Sequence, residues 1–293
     1  MAGWTIGVIG GSGLYEIEGL KDARWTRIDT PFGAPSDDLL IGQLGETRLV
    51  FLPRHGRGHP LAPTDVNYRA NIDALKRAGC TDVISISAVG SLREALAPGT
   101  FVVVDQYIDR TFAREKSFFG RGLTAHVSMA RPVCPRLSNF AAAAARAAGA
   151  SVIEGGTYLA MEGPQFSTLA ESALYRSWAC DLIGMTGMPE AKLAREAELP
   201  YACVAMVTDY DCWRESGADV AVAQILAVLA QNAATARAMV RRLVEALPAE
   251  RTASPIDTCL DGAIITAPAA RDPAMVEKLS AVAGRALNPA RKA

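Results

Sequence analysis

Seven short runs rich in β-branched and other apolar residues, at 5–9, 47–52, 82–86, 101–104, 158–161, 181–185 and 201–207, punctuate the first 207 residues. Helical patterns lie between several of them. Thr64 or Asp65 can cap a helix reaching about Ala78, and Leu137, Phe140, Ala141, Ala144 and Ala148 form one apolar stripe at helical spacing, with Gly79 and Gly149 as stops. Helical stretches at 168–179 and 189–198 each precede a strand-like run, which gives the β-α alternation of an α/β domain. A long last helix buries Ile225, Leu229, Ala236, Met239, Val240, Leu243 and Leu247, and Pro248 ends it.

Beyond it the character changes. Residues 249–260 carry Pro255 and small polar residues, before Asp272 and Pro273 open a final amphipathic helix with Met275, Val276, Leu279 and Val282. The chain is read as one domain over 1–248 and a C-terminal helical appendage over 249–293. The appendage is too short to fold alone and is expected to pack on the body or on a neighbouring subunit.

Charge narrows the partners. With 30 basic and 31 acidic residues the net charge is −1, so no sequence-wide attraction to nucleic acid or to an anionic membrane exists, and a small-molecule partner fits better. The six cysteines are dispersed, with no C-x-x-C pair, which argues against a disulfide framework or a zinc site. The first residues lack a basic and then apolar leader, and no uninterrupted membrane span follows, so a cytoplasmic location is expected.

Six segments can carry chemistry. Three glycines surround Ser12 after the first strand, where amides can hold an anion or simply make a tight turn; neither a dinucleotide fingerprint nor a P-loop fits. The segment Arg54-His55-Gly56-Arg57-Gly58-His59 brings two arginines and two histidines onto backbone too rich in glycine to be helical. Arg with His suits a phosphate, which a guanidinium grips with two parallel hydrogen bonds, and a solvated basic loop is the alternative. His55 and His59 have zincin spacing without the glutamate or the helix, so no metal is expected.

At Ser85-Ile86-Ser87-Ala88 a buried strand runs out into small residues, as strand ends do with or without a ligand. Met161 to Ser167 and Gly184 to Glu190 each follow a strand and precede a helix. Phe166 can stack on a heterocycle and Met185 can cover a sugar, though both types are common in cores, and Thr186 stands where a helix cap is usual. Finally, Asp209 and Asp211 follow the apolar strand at 201–207, as a capping pair or as carboxylates kept for a ligand.

In this order the segments resemble the purine nucleoside phosphorylase superfamily, in particular its methylthioadenosine branch, from Gly7 to about Leu247. Intermediate stretches such as Thr30 to Ser36, Val66 to Ile72 and Asp105 to Thr111 resemble it too. The resemblance implies an α/β phosphorylase/hydrolase-like fold, with a mixed central β-sheet flanked by helices. It implies phosphorolysis of S-methyl-5′-thioadenosine to adenine and 5-methylthioribose 1-phosphate, with a 6-oxopurine nucleoside or methylthioinosine as the alternative substrate.

It further implies a phosphate site of Ser12, Arg54, His55, Ser87, the amide of Ala88, and Thr186. Met185 would lie on the ribose, and Phe166 and Ser167 would border the base. Asp209 and Asp211 would address the purine N7 and 6-amino edge, with Asp209 as the catalytic acid, and Val222 would lie near the 5′ substituent. His126 would come from a neighbouring subunit, so a homotrimer, or a dimer of trimers, with shared sites is implied. No cofactor is implied; inorganic phosphate is a co-substrate. Relatives acting on 6-oxopurines place Asn where Asp209 stands, and a carboxylate accepts from a 6-amino group, so Asp209 points to adenine.

Overall fold

The computed structural model describes residues 3–11, 13–214 and 222–288, with 222–227 described in backbone only. The chain opens with strands β1 (Thr5–Gly10), β2 (Lys21–Thr26), β3 (Leu39–Leu44) and β4 (Thr47–Pro53), then helix α1 (Tyr68–Arg77). Strands β5 (Asp82–Ser91), β6 (Thr100–Val104) and β7 (Gln106–Asp109) lead to α2 (Pro135–Ala147), β8 (Ser151–Glu154) and β9 (Thr157–Ala160). Then come α3 (Leu169–Ser177), β10 (Leu182–Gly184), α4 (Gly187–Glu196), β11 (Tyr201–Tyr210) and the long α5 (Val222–Ala246). Short helices α6 (Pro273–Lys278) and α7 (Gly284–Leu287) follow.

Side-chain alternation along the central strands builds two cores on the two faces of one mixed sheet. In β11, Tyr201, Cys203, Ala205 and Val207 join α1 and α4 in one core, while Ala202, Val204 and Met206 join α2 and α5 in the other. In β4, Val50 and Leu52 go to the first core and Leu49 and Phe51 to the second. The alanines of α2 bring that helix close to the sheet and to α5.

The sheet runs β2-β3-β4-β1-β5-β10-β9-β7, with β11 also on β5 and β6 and β8 beyond it. Two irregularities in its register prepare the site. Strand β1 pairs with β5 from Asp82 to Ser85, and β10 pairs with β5 only at Gly90 and Ser91. Residues 86–89 between them have β11 on one side and no paired strand on the other, among the described residues. The second irregularity is a bulge: Val207 lies opposite Val89 and Asp209 opposite Gly90, so Thr208 is an extra residue in β11.

The seven expected strands are present, and β5 and β11 run past their apolar runs into the site. Strands β2, β3, β7 and β8 had no expectation. Helix α1 begins later than expected: Asn67, not Thr64 or Asp65, is its cap, accepting from the amide of Ala70 at 3.1 Å, because the Thr64 hydroxyl is engaged by Glu162. Helix α4 includes Gly187, but Met188 is non-helical, so the regular helix begins at Pro189 as read. The final amphipathic helix is only six residues long. The chain turns after Leu279 and restarts at Gly284, and the segment between the two pieces sends Leu279, Val282 and Ala283 into the first core. Arg251 binds Asp82 and Asp257, and Arg285 binds Glu198 and Asp261, tying the same region to the body.

Candidate active site

A cavity of about 420 Å³ opens where β5 loses its neighbour. Ile86, Ser87, Ala88, Val89 and Gly90 form its floor, and the bulge lets consecutive residues, Thr208 and Asp209, both line it from β11. Of the expected residues, Arg54, His55, Ser87, Ala88, Phe166, Ser167, Met185, Thr186, Asp209 and Asp211 all border this one space. Ser12 lies outside the described residues, though its neighbour Gly11 lines the cavity. The side chain of Val222 is likewise outside the described residues. His126 is exposed and does not border the cavity of its own chain.

At one end stands Arg54, 2% exposed. Its guanidinium forks onto Glu190, Nε to Oε2 at 2.8 Å and Nη2 to Oε1 at 3.1 Å, and it also donates to Ser85 Oγ at 2.6 Å and to the Ile86 carbonyl at 3.1 Å. The Ile86 carbonyl is the first beyond the β1 pairing. Four of the five guanidinium hydrogens are thus committed among the described residues, and one, on Nη1, has no partner among them. The two-bond grip on an anion expected from the sequence is therefore not available: the fork is held by a buried carboxylate, and Arg54 can offer a ligand a single N–H. Tyr201 donates to Glu190 Oε1 at 2.8 Å, completing that carboxylate.

The rest of the basic segment divides. His55 is held through Nδ1 to the Leu61 carbonyl, and His59, with a positive φ of 59°, stacks on it at 4.2 Å and lines the cavity. Arg57 departs from the expected convergence. It turns outward, where Asp37 takes both its backbone amide and its guanidinium and Trp25 lies under the charge.

Three hydroxyls face one another beside Arg54: Ser87 lies 3.5 Å from Tyr158 and 3.4 Å from Thr186. Thr186 occupies the cap position of α4 yet makes no capping bond, so its hydroxyl is kept for the cavity. Tyr158 is wedged under Gly184, where an added Cβ would sit 2.0 Å from the phenol oxygen. Gly184→Ala is expected to lower stability by about 1–3 kcal/mol, since the ring cannot yield. An unchanged urea midpoint would count against that tight fit.

At the other end, Asp209 accepts from Thr208 at 2.7 Å, and Asp211 is 6% exposed with Oδ2 unpartnered among the described residues. Burial raises the pKa of both carboxyls. For Asp209 the neighbouring Asp211 adds to the rise and the Thr208 hydrogen bond opposes it. The neutral, protonated form is therefore accessible to this pair at higher pH than for a free carboxyl.

Between the ends, Arg114 holds two loops together. It donates to the Met185 and Met188 carbonyls, to Tyr68 and to the backbone of Glu162, while its Nε pairs with the Glu162 carboxylate at 3.0 Å. Burial pushes the Glu162 carboxyl up, but Thr64, the amides of Phe112 and Ala113, and Arg114 bring it down to about 2. Among the described residues no group of three or more His, Cys, Asp or Glu is placed to hold a metal, and no helix is long and apolar enough to cross a membrane.

Comparison with known proteins decides the family. The profile of the phosphorylase superfamily matches residues 5–245. This chain belongs to the phosphorylase superfamily. It is similar to the S-methyl-5′-thioadenosine phosphorylase of Cereibacter sphaeroides, 62% identical over 284 residues and covering 96% of this chain and 98% of that one. The enzyme of the same name from Rhodospirillum rubrum is 59% identical, covering 97% of each. Among solved structures, a methylthioadenosine phosphorylase from an antarctic soil metagenomic library has a TM-score of 0.91 at 44% identity, covering 96% of this chain and 99% of its own. The methylthioadenosine phosphorylase of Schistosoma mansoni in complex with adenine has a TM-score of 0.78 at 37% identity, covering 85% and 93%.

Sequence reasoning gave no role to Thr208 or to Ala233 of α5, which line this phosphorylase-superfamily cavity, nor to Glu190, Tyr158, Arg114 and Glu162, which hold its lining residues from behind. For Glu190 a signal existed. An arginine directly after an apolar strand needs a carboxylate when buried, and Glu190 is the acidic residue of the Gly184 segment. Arg114 carries no such signal, because it follows no apolar strand and its partners, the Glu162 carboxylate, Tyr68 and the carbonyls of Glu162, Met185 and Met188, are all distant in sequence.

Proposed function

We propose that this chain catalyses phosphorolysis of S-methyl-5′-thioadenosine, releasing adenine and 5-methylthioribose 1-phosphate. The observation that carries the proposal is one cavity with anion donors at one end and a pair of carboxyls at the other. Arg54, Ser87 and Thr186, with the amide of Ala88, would hold phosphate below C1′ of the sugar, His55 beside it, as a positioned nucleophile. Phosphate oxygen attacks C1′ as the bond from C1′ to N9 breaks, with inversion, and the bonding pair leaves with the purine. Asp209, in its acid form, donates a proton to N7 and so neutralises the charge that builds on the base.

Met185 would cover the ribose and Phe166 and Ser167 would border the base, with Asp211 accepting at the purine edge. Ser12 and Val222 are assigned by resemblance alone, to the phosphate and the 5′ substituent. The exposed position of His126, away from its own cavity, supports a homotrimer or dimer of trimers in which it enters a neighbour's site, and the half-exposed Phe166 at the rim agrees. The reading includes no cofactor, a cytoplasmic location, and a division into a phosphorylase domain at 1–248 and an extension at 249–293.

The test is incubation with S-methyl-5′-thioadenosine and, separately, methylthioinosine, each with and without phosphate, followed by chromatography of the released base. Adenine released only with phosphate is expected. Predominant hypoxanthine release would favour the 6-oxopurine alternative, and release without phosphate would sink the phosphorylase reading.

A further inference from the structure

The bond that holds His55 decides which ring nitrogen carries hydrogen. Nδ1 lies 2.9 Å from the Leu61 carbonyl oxygen, and a carbonyl only accepts, so Nδ1 is the N–H. Nε2 has no partner among the described residues and is the nitrogen left for the cavity that His55 lines. In a neutral ring it is a lone pair. The surroundings keep the ring neutral: burial first, then the Arg54 guanidinium, push its pKa down to about 4, and His59 adds to this, against smaller opposing effects of the Leu61 carbonyl and Glu190. Arg54 and Glu190 form an ion pair beside it, and at the ring the guanidinium outweighs the carboxylate.

We propose that His55 is a specificity residue whose Nε2 accepts a hydrogen bond from the bound anion, so that the site selects an oxyanion arriving with its own proton. The inference rests on the phosphate reading above. The phosphate dianion keeps one P–O–H, which donates to Nε2, while its bare oxygens take the remaining Arg54 N–H and the Ser87 and Thr186 hydroxyls. Sulfate has the same charge and tetrahedral shape but no proton. In the same position it sets oxygen against a nitrogen lone pair, a mismatch a buried polar site does not tolerate. It binds well only if a solvent proton is first placed on Nε2, one proton per sulfate.

Proton balance turns this into a measurement. Sulfate is tested as an inhibitor competing with phosphate at about pH 6, 7 and 8 and constant ionic strength. The sulfate inhibition constant is expected to rise about tenfold per pH unit, while the KM expressed per phosphate dianion, with phosphate's own ionisation across this range divided out, moves less than about threefold. In His55→Gln the side-chain amide can present an N–H in place of the lone pair, and sulfate inhibition is expected to lose its pH dependence. Sulfate inhibition that is flat with pH in the unmodified enzyme, and comparable with phosphate binding, would overturn the proposal even if the variant does not fold. Turnover in the arm without phosphate would instead remove the phosphate reading, and this inference with it.

Discussion

Glu190→Ala is expected to lower the stability of the protein by about 3–5 kcal/mol and to abolish phosphate-dependent turnover. The substitution strands the Arg54 guanidinium, 2% exposed, with the carboxylate that holds its fork gone. Desolvating a cation is tolerated only when a counter-charge is supplied, so the whole cost falls on the folded state. Urea unfolding at constant m-value reads the effect directly. A control separates charge from shape: the double variant Arg54→Met with Glu190→Leu is expected to recover most of the stability while remaining inactive, because both buried charges are gone together. If Glu190→Ala unfolds at the same urea concentration as the unmodified protein, the pair does not hold Arg54.

Asp209→Asn is expected to reduce kcat/KM for S-methyl-5′-thioadenosine by about 10²–10⁴-fold, as the loss of a positioned acid does. It should also shift preference toward methylthioinosine, since a side-chain amide can donate to a 6-oxo group. Stability should move the opposite way. The folded pKa of Asp209 is raised by burial and by Asp211, so its contribution is fully present below the unfolded pKa and is lost as pH rises through the folded one. Asn removes that loss, so the variant should melt higher than the unmodified protein at about pH 8, with the gain shrinking toward acid pH. An activity loss accompanied by a lower Tm at alkaline pH would mean that Asp209 is structural.

Much of the fold is legible in the sequence because the central strands are apolar on both faces. The run at 201–207 can be nothing but a buried strand once Tyr201, Cys203 and Ala205 pack on one side and Ala202, Val204 and Met206 on the other. Strand β2 is the counter-example. Its sequence Lys-Asp-Ala-Arg-Trp-Thr is largely exposed at the sheet edge, so no apolar alternation marks it. The site shows the same divide. Arg54, Ser87, Thr186 and Asp209 announce themselves as polar residues at the ends of apolar runs, and the structure gathers them. The partners that set their roles are long-range: Glu190 meets Arg54 across 136 residues, and Arg114 reaches Met185 across 71. Spacing cannot reveal a pairing that only the closed sheet creates.

The side-by-side course of β5 and β11 has a consequence for what the cavity measures. Ser87, at the anion end, and Gly90, opposite Asp209, are three residues apart on one strand, so about 10 Å separates the two ends at roughly 3.3 Å per residue. That interval is a gauge cut into the backbone. On the reading proposed above, it would admit an anion and a heterocycle only when a spacer the length of a furanose joins them, and no rotamer change would reset it. Substitutions at the rim, as at Phe166, would then retune what hangs from the sugar, while the calibration between nucleophile and leaving group would stay fixed by the strand registry.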